Sequence, residues 1–374
     1  MAAPYQTLFS STAANLHVLG STMSADPHPL LQQVISNQVG YAEKIGTGVV
    51  HTIDNLPSEL ANVPGNIQTG LKALSAVNPA ALGQHFINNQ IGYGQTISTG
   101  IGAAAHDFTT GLHGLPASFH TAVSDLEAGN ATGAVRAVKL GLQDLFITGF
   151  NTSVGADNVI TVTPAGALGD LMPILSIPGQ IAQNTTNLLP ASSIPGHVAQ
   201  YFTNALKTVT DLNLTSTVGF VPSFGGSIDI NATAGLPLVL AIELLGGPIN
   251  AINALGHSDT AFVNALHSGN VLGAAQAVLD APAAMANGFL NGQMTLPLSI
   301  EALGLPTTLN VLLDGILVPA SMYTATVPAL GGDFPVFVTG TPIGGLLSDI
   351  LTIVPKDLAS ALGGPPPPVI PILP

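Results

Sequence analysis

The side chains best suited to chemistry are the ten histidines, and three of them, His106, His113 and His120, stand seven residues apart with Asp107 beside the first. On an uninterrupted helix this spacing places the imidazoles on one face, and imidazole is a common metal ligand. Gly111, Gly114 and Pro116 are expected to interrupt the helix, which turns the three into surface or capping residues. His257 with Asp259, and His267 with Asp280, lack a nearby third ligand-type residue and read as helix-end groups. Among the carboxylates, Glu301, Asp314, Asp333 and Asp349 are scattered and read as solvated loop charges, so no acid–base pair is assigned. Glu243 sits in an apolar run, where burial would raise its pKa, and a solvated edge position is the expectation.

The motif search excludes more than it assigns. The string Gly225-Gly226-Ser227-Ile228-Asp229 starts an alternating strand, not the strand-to-helix turn that exposes a nucleophilic serine. No Gly-Lys-Ser/Thr occurs, so a phosphate-cradling P-loop is absent. Without cysteine there is no disulfide, thiolate zinc site, iron–sulfur cluster or cysteine nucleophile. The expectation is a protein with no catalytic, cofactor-binding or metal-ligating residues, and hence a non-enzymatic one without a cofactor.

Composition supports a folded chain with an unusual surface. The 374 residues hold 6 Lys+Arg and 20 Asp+Glu, a formal charge of −14, with 7% charged and 47% hydrophobic residues. Soluble domains average about 25% charged residues. Mean hydropathy of +0.50 argues against disorder, which requires low hydropathy with high net charge. Six scattered cations, at Lys44, Lys72, Arg136, Lys139, Lys207 and Lys356, cannot form the basic stripe that nucleic acid requires. The N-terminus has no basic region ahead of an apolar run, so no signal peptide is expected. The apolar stretch from Leu236 to Ile252 contains Pro237, Glu243, Gly246, Gly247, Pro248 and Asn250, and no transmembrane helix is expected there.

An internal repeat organises the first third. Asn37-Gln38-Val39-Gly40-Tyr41 recurs as Asn89-Gln90-Ile91-Gly92-Tyr93, a shift of 52 residues that also relates Ile35 to Ile87 and Ile45 to Ile97. Asp26-Pro27 and Asn78-Pro79 read as caps with proline at the first helical position, so helices are expected to start near Pro27 and Pro79. The apolar stripes of the two copies are expected to bury each other. Leu56-Pro57 and Leu115-Pro116 end the copies. A second recurring unit, Gly129-Asn130 and Gly269-Asn270, pairs a left-handed glycine cap with an asparagine cap and predicts two tight helix–helix corners.

From about residue 152 the texture becomes β-branched and alternating. Strands are predicted at 159–163, 227–234, 295–302, 308–313, 322–327 and 334–339, with Pro237, Pro297 and Pro335 pushing theirs toward sheet edges. Helices are predicted near 198–209, 249–255, 260–267, 271–289 and 346–362. The fold class is thus α+β: N-terminal duplicated helical hairpins followed by a mixed, mostly antiparallel β region with inserted helices. The domain plan is a helical domain over 1–150 with copies near 26–60 and 78–118, an α+β domain over 151–362 with a helical insertion near 249–290, and a Pro-rich tail over 363–374.

Four strings carry a family resemblance: Asn89-Gln90-Ile91-Gly92-Tyr93, the run from Gly247 to Gly256, Gly269-Asn270-Val271-Leu272-Gly273-Ala274, and Asp314-Gly315-Ile316-Leu317-Val318-Pro319. They resemble the Ala/Gly/Asn-rich domains of mycobacterial PE/PPE-type exported proteins. The chain shows no N-terminal Pro-Glu or Pro-Pro-Glu module and no Gly-Gly-Ala tandem array. The resemblance implies a location in the cell envelope or outside the cell. With so few charges, apolar surface is expected to remain exposed and to bind envelope lipid, a protein partner or a second copy of the chain. Alternatives are a membrane-embedded β-structure or pore, suggested by the alternating strands, and a hydrolase with an unrecognised site.

Overall fold

A computed structural model describes residues 2–54, 79–155, 159–211, 214–221, 227–302, 305–326 and 336–366, together with Gly65 and Gln68. Leu56-Pro57, Asn78, Gly225-Gly226, Asp333, Pro335 and the end of the Pro-rich tail lie outside the described residues.

Two helices, α1 (Ala2–Ala25) and α2 (Pro29–Asp54), open the chain. The second starts at Pro29 and not at Pro27, because His28 takes a left-handed conformation (φ 55°) that ends one helix and redirects the next. A long helix, α3 (Pro79–Glu127), starts where its proline signal places it and then runs 49 residues without a break. Gly111, Gly114 and Pro116 therefore do not end it. Proline removes one hydrogen bond from the ladder, but tertiary packing outweighs local propensity over a long helix. Here α4 (Ala131–Gln143) and α5 (Ala167–Thr186) pack against α3, and the helix continues past the weak point. The second repeat copy is thus the opening of one long helix and not a separate hairpin.

Both helix–helix corners are present. Gly129 and Gly269 have φ of +73° and +71°, which glycine adopts without a steric penalty. Asn130 and Asn270 then cap the following helices by accepting hydrogen bonds from the Gly133 and Gly273 amides at 2.9 and 2.8 Å. The second corner joins α7 (Leu236–His267) to α8 (Val271–Asn291). The two helical pieces expected near 249–255 and 260–267 belong to this single α7, which also contains Pro237. That proline occupies the first turn of the helix, where its missing N–H costs nothing, and not a strand edge.

The remaining elements form two sheets. In the five-stranded sheet, β1 (Gly149–Val154), β2 (Val159–Ala165), β3 (Leu214–Val221) and β4 (Ser227–Ala234) are antiparallel in sequence order, and β8 (Val336–Gly340) pairs parallel to β4. In the three-stranded sheet, β5 (Gln293–Ala302), β6 (Leu305–Asp314) and β7 (Thr324–Thr326) are antiparallel, and Pro297 lies on the edge strand β5 as expected. Helix α6 (Ile194–Thr208) packs on α5, and α9 (Leu346–Ala361) closes the described chain. Mostly helical with a few strands, the molecule is of the α+β class. Strands β1 and β3 and helices α1 and α5 had no counterpart in the sequence reading.

One apolar core joins both sheets to α7. Ile230, Ala232 and Val338 of the larger sheet meet Leu309 and Val311 of the smaller one, with Val239 of α7, Met322, Tyr323 and Ile343. The Tyr323 hydroxyl donates to the Ala232 carbonyl at 2.8 Å, which satisfies the one polar atom that a buried tyrosine brings. The N-terminal helices are docked by polar side chains. Tyr5 of α1 donates to the Leu279 carbonyl of α8, and the Gln33 and Asn37 amides of α2 donate to the Leu362 carbonyl at the end of α9.

Candidate functional site

Two arrangements stand out, and they break opposite rules. The first is an acidic cluster in the core. Glu243 and Asp314 are completely buried and Asp349 is 1% exposed. Glu243 comes from the middle of α7, Asp314 from the last position of β6, and Asp349 from the first turn of α9. The expectation that Glu243 sits at a solvated edge, and that Asp314 and Asp349 are solvated loop charges, is corrected: chain elements far apart in sequence bury all three. Glu301 lies on β5.

The close approach has a visible cause. A Cβ on Gly246 would sit 2.1 Å from the Asp314 carbonyl oxygen, so only glycine lets α7 lie against the end of β6. One turn along, Asn250 is buried and donates both to Gly246 O at 2.9 Å and to Leu313 O at 2.7 Å. The helix is thereby bolted to the strand directly beside the carboxylates.

As carboxylates, Glu243 Oε2 and both oxygens of Asp314 and of Asp349 have no donor among the described residues. The Gly344 amide donates to Glu243 Oε1 at 3.4 Å. Three uncompensated charges in a core would be prohibitive, so protons must reside there. Burial, followed by the hydrogen bond and charge of Asp349, pushes Glu243 far above the usual carboxylate range. Burial also raises Asp349, so the neighbouring pair keeps a proton that two ordinary carboxylates would lose. Burial and then the charge of Asp349 raise Asp314 to about 7. The same causes raise Asp357, two turns along α9, to about 6. The cluster can hold and release protons, and its side chains are buried from solvent. Among the described residues no group of three His, Cys, Asp or Glu side chains is placed to hold a metal ion.

The second arrangement is apolar and faces water. The repeated stripes do not bury each other: Ile35 and Ile87 are 55% and 52% exposed, and Val39 and Ile91 are 53% and 55% exposed. Each copy docks through its polar side instead. Asn37 holds α9, and Tyr93, whose hydroxyl accepts from Asn184 at 2.9 Å, holds α5. Along the rest of α3, Ile97, Ile101, Phe108, Leu112, Phe119, Val123 and Leu126 remain exposed. At about 100° per residue these side chains with Phe86, Ile87 and Ile91 fall within an arc of about 140°. The stripe runs roughly 60 Å along the helix.

Because α3 is continuous, His106, His113 and His120 do share one face. They are exposed, and seven residues of helix separate neighbours by about 10 Å, too far for one metal ion. Asp107 points elsewhere, into a cavity of about 870 Å³ that Asp170, Lys207 and Asp211 also line. His257 and Asp280 both line a smaller cavity of about 530 Å³ between α1, α7 and α8, where the His257 ring lies 3.4 Å from the Asn253 amide. His267 is the last residue of α7, a helix end as expected. Sequence reasoning missed the acidic cluster, although the signal available was a lone glutamate in an apolar run followed by Gly246-Gly247.

The chain is 35% identical to PE-PGRS family protein PE_PGRS62 of Mycobacterium tuberculosis (strain ATCC 25618 / H37Rv), over 96% of this chain and 75% of that protein. It belongs to the PE-PGRS family. A second relative from the same strain, PE-PGRS family protein PE_PGRS30, is 33% identical over 96% of this chain, which spans 28% of that longer protein. No protein-family model and no solved structure matches the PE-PGRS chain. The resemblance to mycobacterial PE/PPE-type proteins read from the Asn/Gly/Ala strings is therefore a family relationship. Both alignments cover nearly all of this PE-PGRS chain, so the apolar helices and the acidic core both fall within the shared region.

Proposed function

We propose that this chain is a non-enzymatic protein of the mycobacterial cell surface or secreted space that attaches to envelope lipid through the exposed apolar face of α2 and α3. Membership of the PE-PGRS family supports the location. One observation carries the attachment: a stripe of large apolar side chains, most of them about half exposed, runs the length of α3 and repeats on α2. Large exposed apolar patches on folded proteins mark interaction surfaces. Amphipathic helices of this kind bury their apolar face in the lipid interface. The helix α7 is long and apolar enough to cross a membrane, the one such helix among the described residues; the burial of Leu238, Val239 and Glu243 on one of its faces supports a packed rather than a membrane-spanning role.

The test is flotation of the purified chain with vesicles made from envelope lipid. The chain is expected to float, and the Leu112→Ser, Phe119→Ser double variant is expected to stay in the dense fraction. A wild-type chain that stays behind with the variant defeats the reading. A second reading has its own observation: Ile101, Phe108, Leu112, Phe119 and Leu126 follow one another at steps of seven, four, seven and seven residues, the spacing that a partner helix would read. Sedimentation of the chain as a stable dimer, lost in the same double variant, would favour it.

A further inference from the structure

The apolar stripe of α3 has a titratable border. Between Ile91 and Leu126 the exposed ionisable side chains are His106, His113 and His120 alone. Their spacing keeps them in one row about 20 Å long, displaced by roughly 120° from the line of Ile101, Phe108 and Phe119. This puts the imidazoles on the solvent side, next to the apolar arc and away from α4 and α5. The acidic residues of the same stretch face the other way and are half-buried. Asp107 lines the cavity shared with Asp170, and Asp125 Oδ1 accepts from the Asn130 amide at 2.9 Å. The other charged groups of the packed elements are Arg136, Lys139 and Asp144 around α4, Asp170 on α5, and Glu127 at the end of α3.

We infer that this face is an acid-responsive dock for an anionic lipid surface, the exposed apolar side chains entering the interface while the row of imidazoles meets the headgroups. The inference rests on the lipid reading of α3 and adds to it the headgroup charge and the regulation. Its argument is charge complementarity. The neutral polar positions around the histidines, such as Thr109, Thr110 and Ser124, provide no fixed cation, so only protonated imidazole can attract a phosphate or carboxylate headgroup there. The chain's net charge of −14 opposes approach from a distance. At physiological salt that repulsion is screened beyond about 8 Å, so the row next to the headgroups dominates at contact. Three added charges close to an anionic surface raise affinity roughly a hundredfold in the limit, and at least about tenfold with partial protonation.

The experiment uses the full chain with vesicles of phosphatidylcholine alone or mixed with phosphatidylglycerol, at about pH 5 and about pH 7.5. Binding to the anionic vesicles is expected to rise at least about tenfold at the lower pH. The triple variant His106→Asn, His113→Asn, His120→Asn is expected to lose that rise and to keep the wild-type affinity for neutral vesicles. The buried carboxylates are unchanged in it, so the variant isolates the exposed row from the acidic core. Its unfolding midpoint, expected to match the wild type, confirms that the fold is intact. An acid-induced gain that survives in the triple variant, or is as large on neutral vesicles, overturns the inference. Binding to neutral vesicles with no response to pH defeats the acid response and leaves the lipid reading standing. A chain that binds neither vesicle at either pH defeats both.

Discussion

Phe86 and Phe119 of α3 are 65% and 49% exposed, while Glu243 of α7 is completely buried. Each helix displays the class of side chain that the other would be expected to display. The difference lies in what packs against each. Helix α3 meets α4 and α5 along one side, through small residues such as Ala104 and Ala122, and most of the large side chains of the apolar arc stay exposed, Phe108 at its border touching the Phe146 ring. Helix α7 is contacted by α8, α4, α9, β5 and β6, so the face that carries Leu238, Val239, Glu243 and Asn250 is drawn into a low-dielectric interior, acid included, while Leu244 and Leu255 stay exposed. The contrast teaches that hydropathy patterning marked apolar positions in both stretches and that the number of neighbours decided which face of each would meet water.

The comparison can be broken most severely at the α7–β6 contact. Gly246→Val puts methyl groups where the Asp314 backbone already lies, and is expected to cost at least about 3 kcal/mol. Thermal unfolding reports it as a lowered midpoint. A variant as stable as the wild type would mean that α7 does not lie against Asp314.

Next in size is the pH dependence of stability. Asp314 moves from its ordinary 3.8 to about 7 on folding, so the folded state holds the proton throughout that window. Its contribution is fully present below about pH 4, and is lost as the pH rises to about 7. Asp357, raised to about 6, adds in the same direction. Urea midpoints are expected to fall over this range, with a loss on the order of 2–4 kcal/mol. Asp314→Asn should flatten much of the slope, and Glu243→Gln should keep the chain folded at alkaline pH where the wild type loosens. Stability that rises with pH over the same window would contradict a core of protonated acids.

Smaller effects sharpen the comparison. Asn130→Ala and Asn270→Ala each remove one cap and are expected to cost about 1 kcal/mol, measurable by chemical denaturation. Leu112→Ser and Phe119→Ser on the exposed arc are expected to change stability by less than about 0.5 kcal/mol, although they abolish flotation. A large loss from either would show that the arc is covered.

What could be read in advance depended on the range of the interaction. The two corners were legible because Gly129-Asn130 and Gly269-Asn270 specify backbone conformation and capping within four residues. The alternating strands at 227–234 and 295–302 were legible because a half-buried strand writes its period directly into the chain. Strand β3, by contrast, carries glycine at 219 between Val218 and Phe220 and lacks clean alternation, so its place between β2 and β4 shows only in the ladder. Pro116 misled because a local breaker was weighed without the packing that overrides it. The acidic cluster was illegible because its members lie 71 and 35 residues apart, and nothing near Asp314 announces that Glu243 and Asp349 will share its environment.

Taken alone, the amino-acid order determined what depends on each residue's immediate neighbours and on total composition: the repeat, the caps, the absence of thiol, P-loop and serine-elbow chemistry, the scarcity of charge, and the family. Tertiary structure decided every question of partnership, namely that the duplicated stripes face outward, that three histidines line one unbroken helix, and that three acids meet in the dark. The physical reason is that capping and periodicity act over a few residues of chain, whereas desolvation acts through space and is set by elements that meet only when the whole chain has folded.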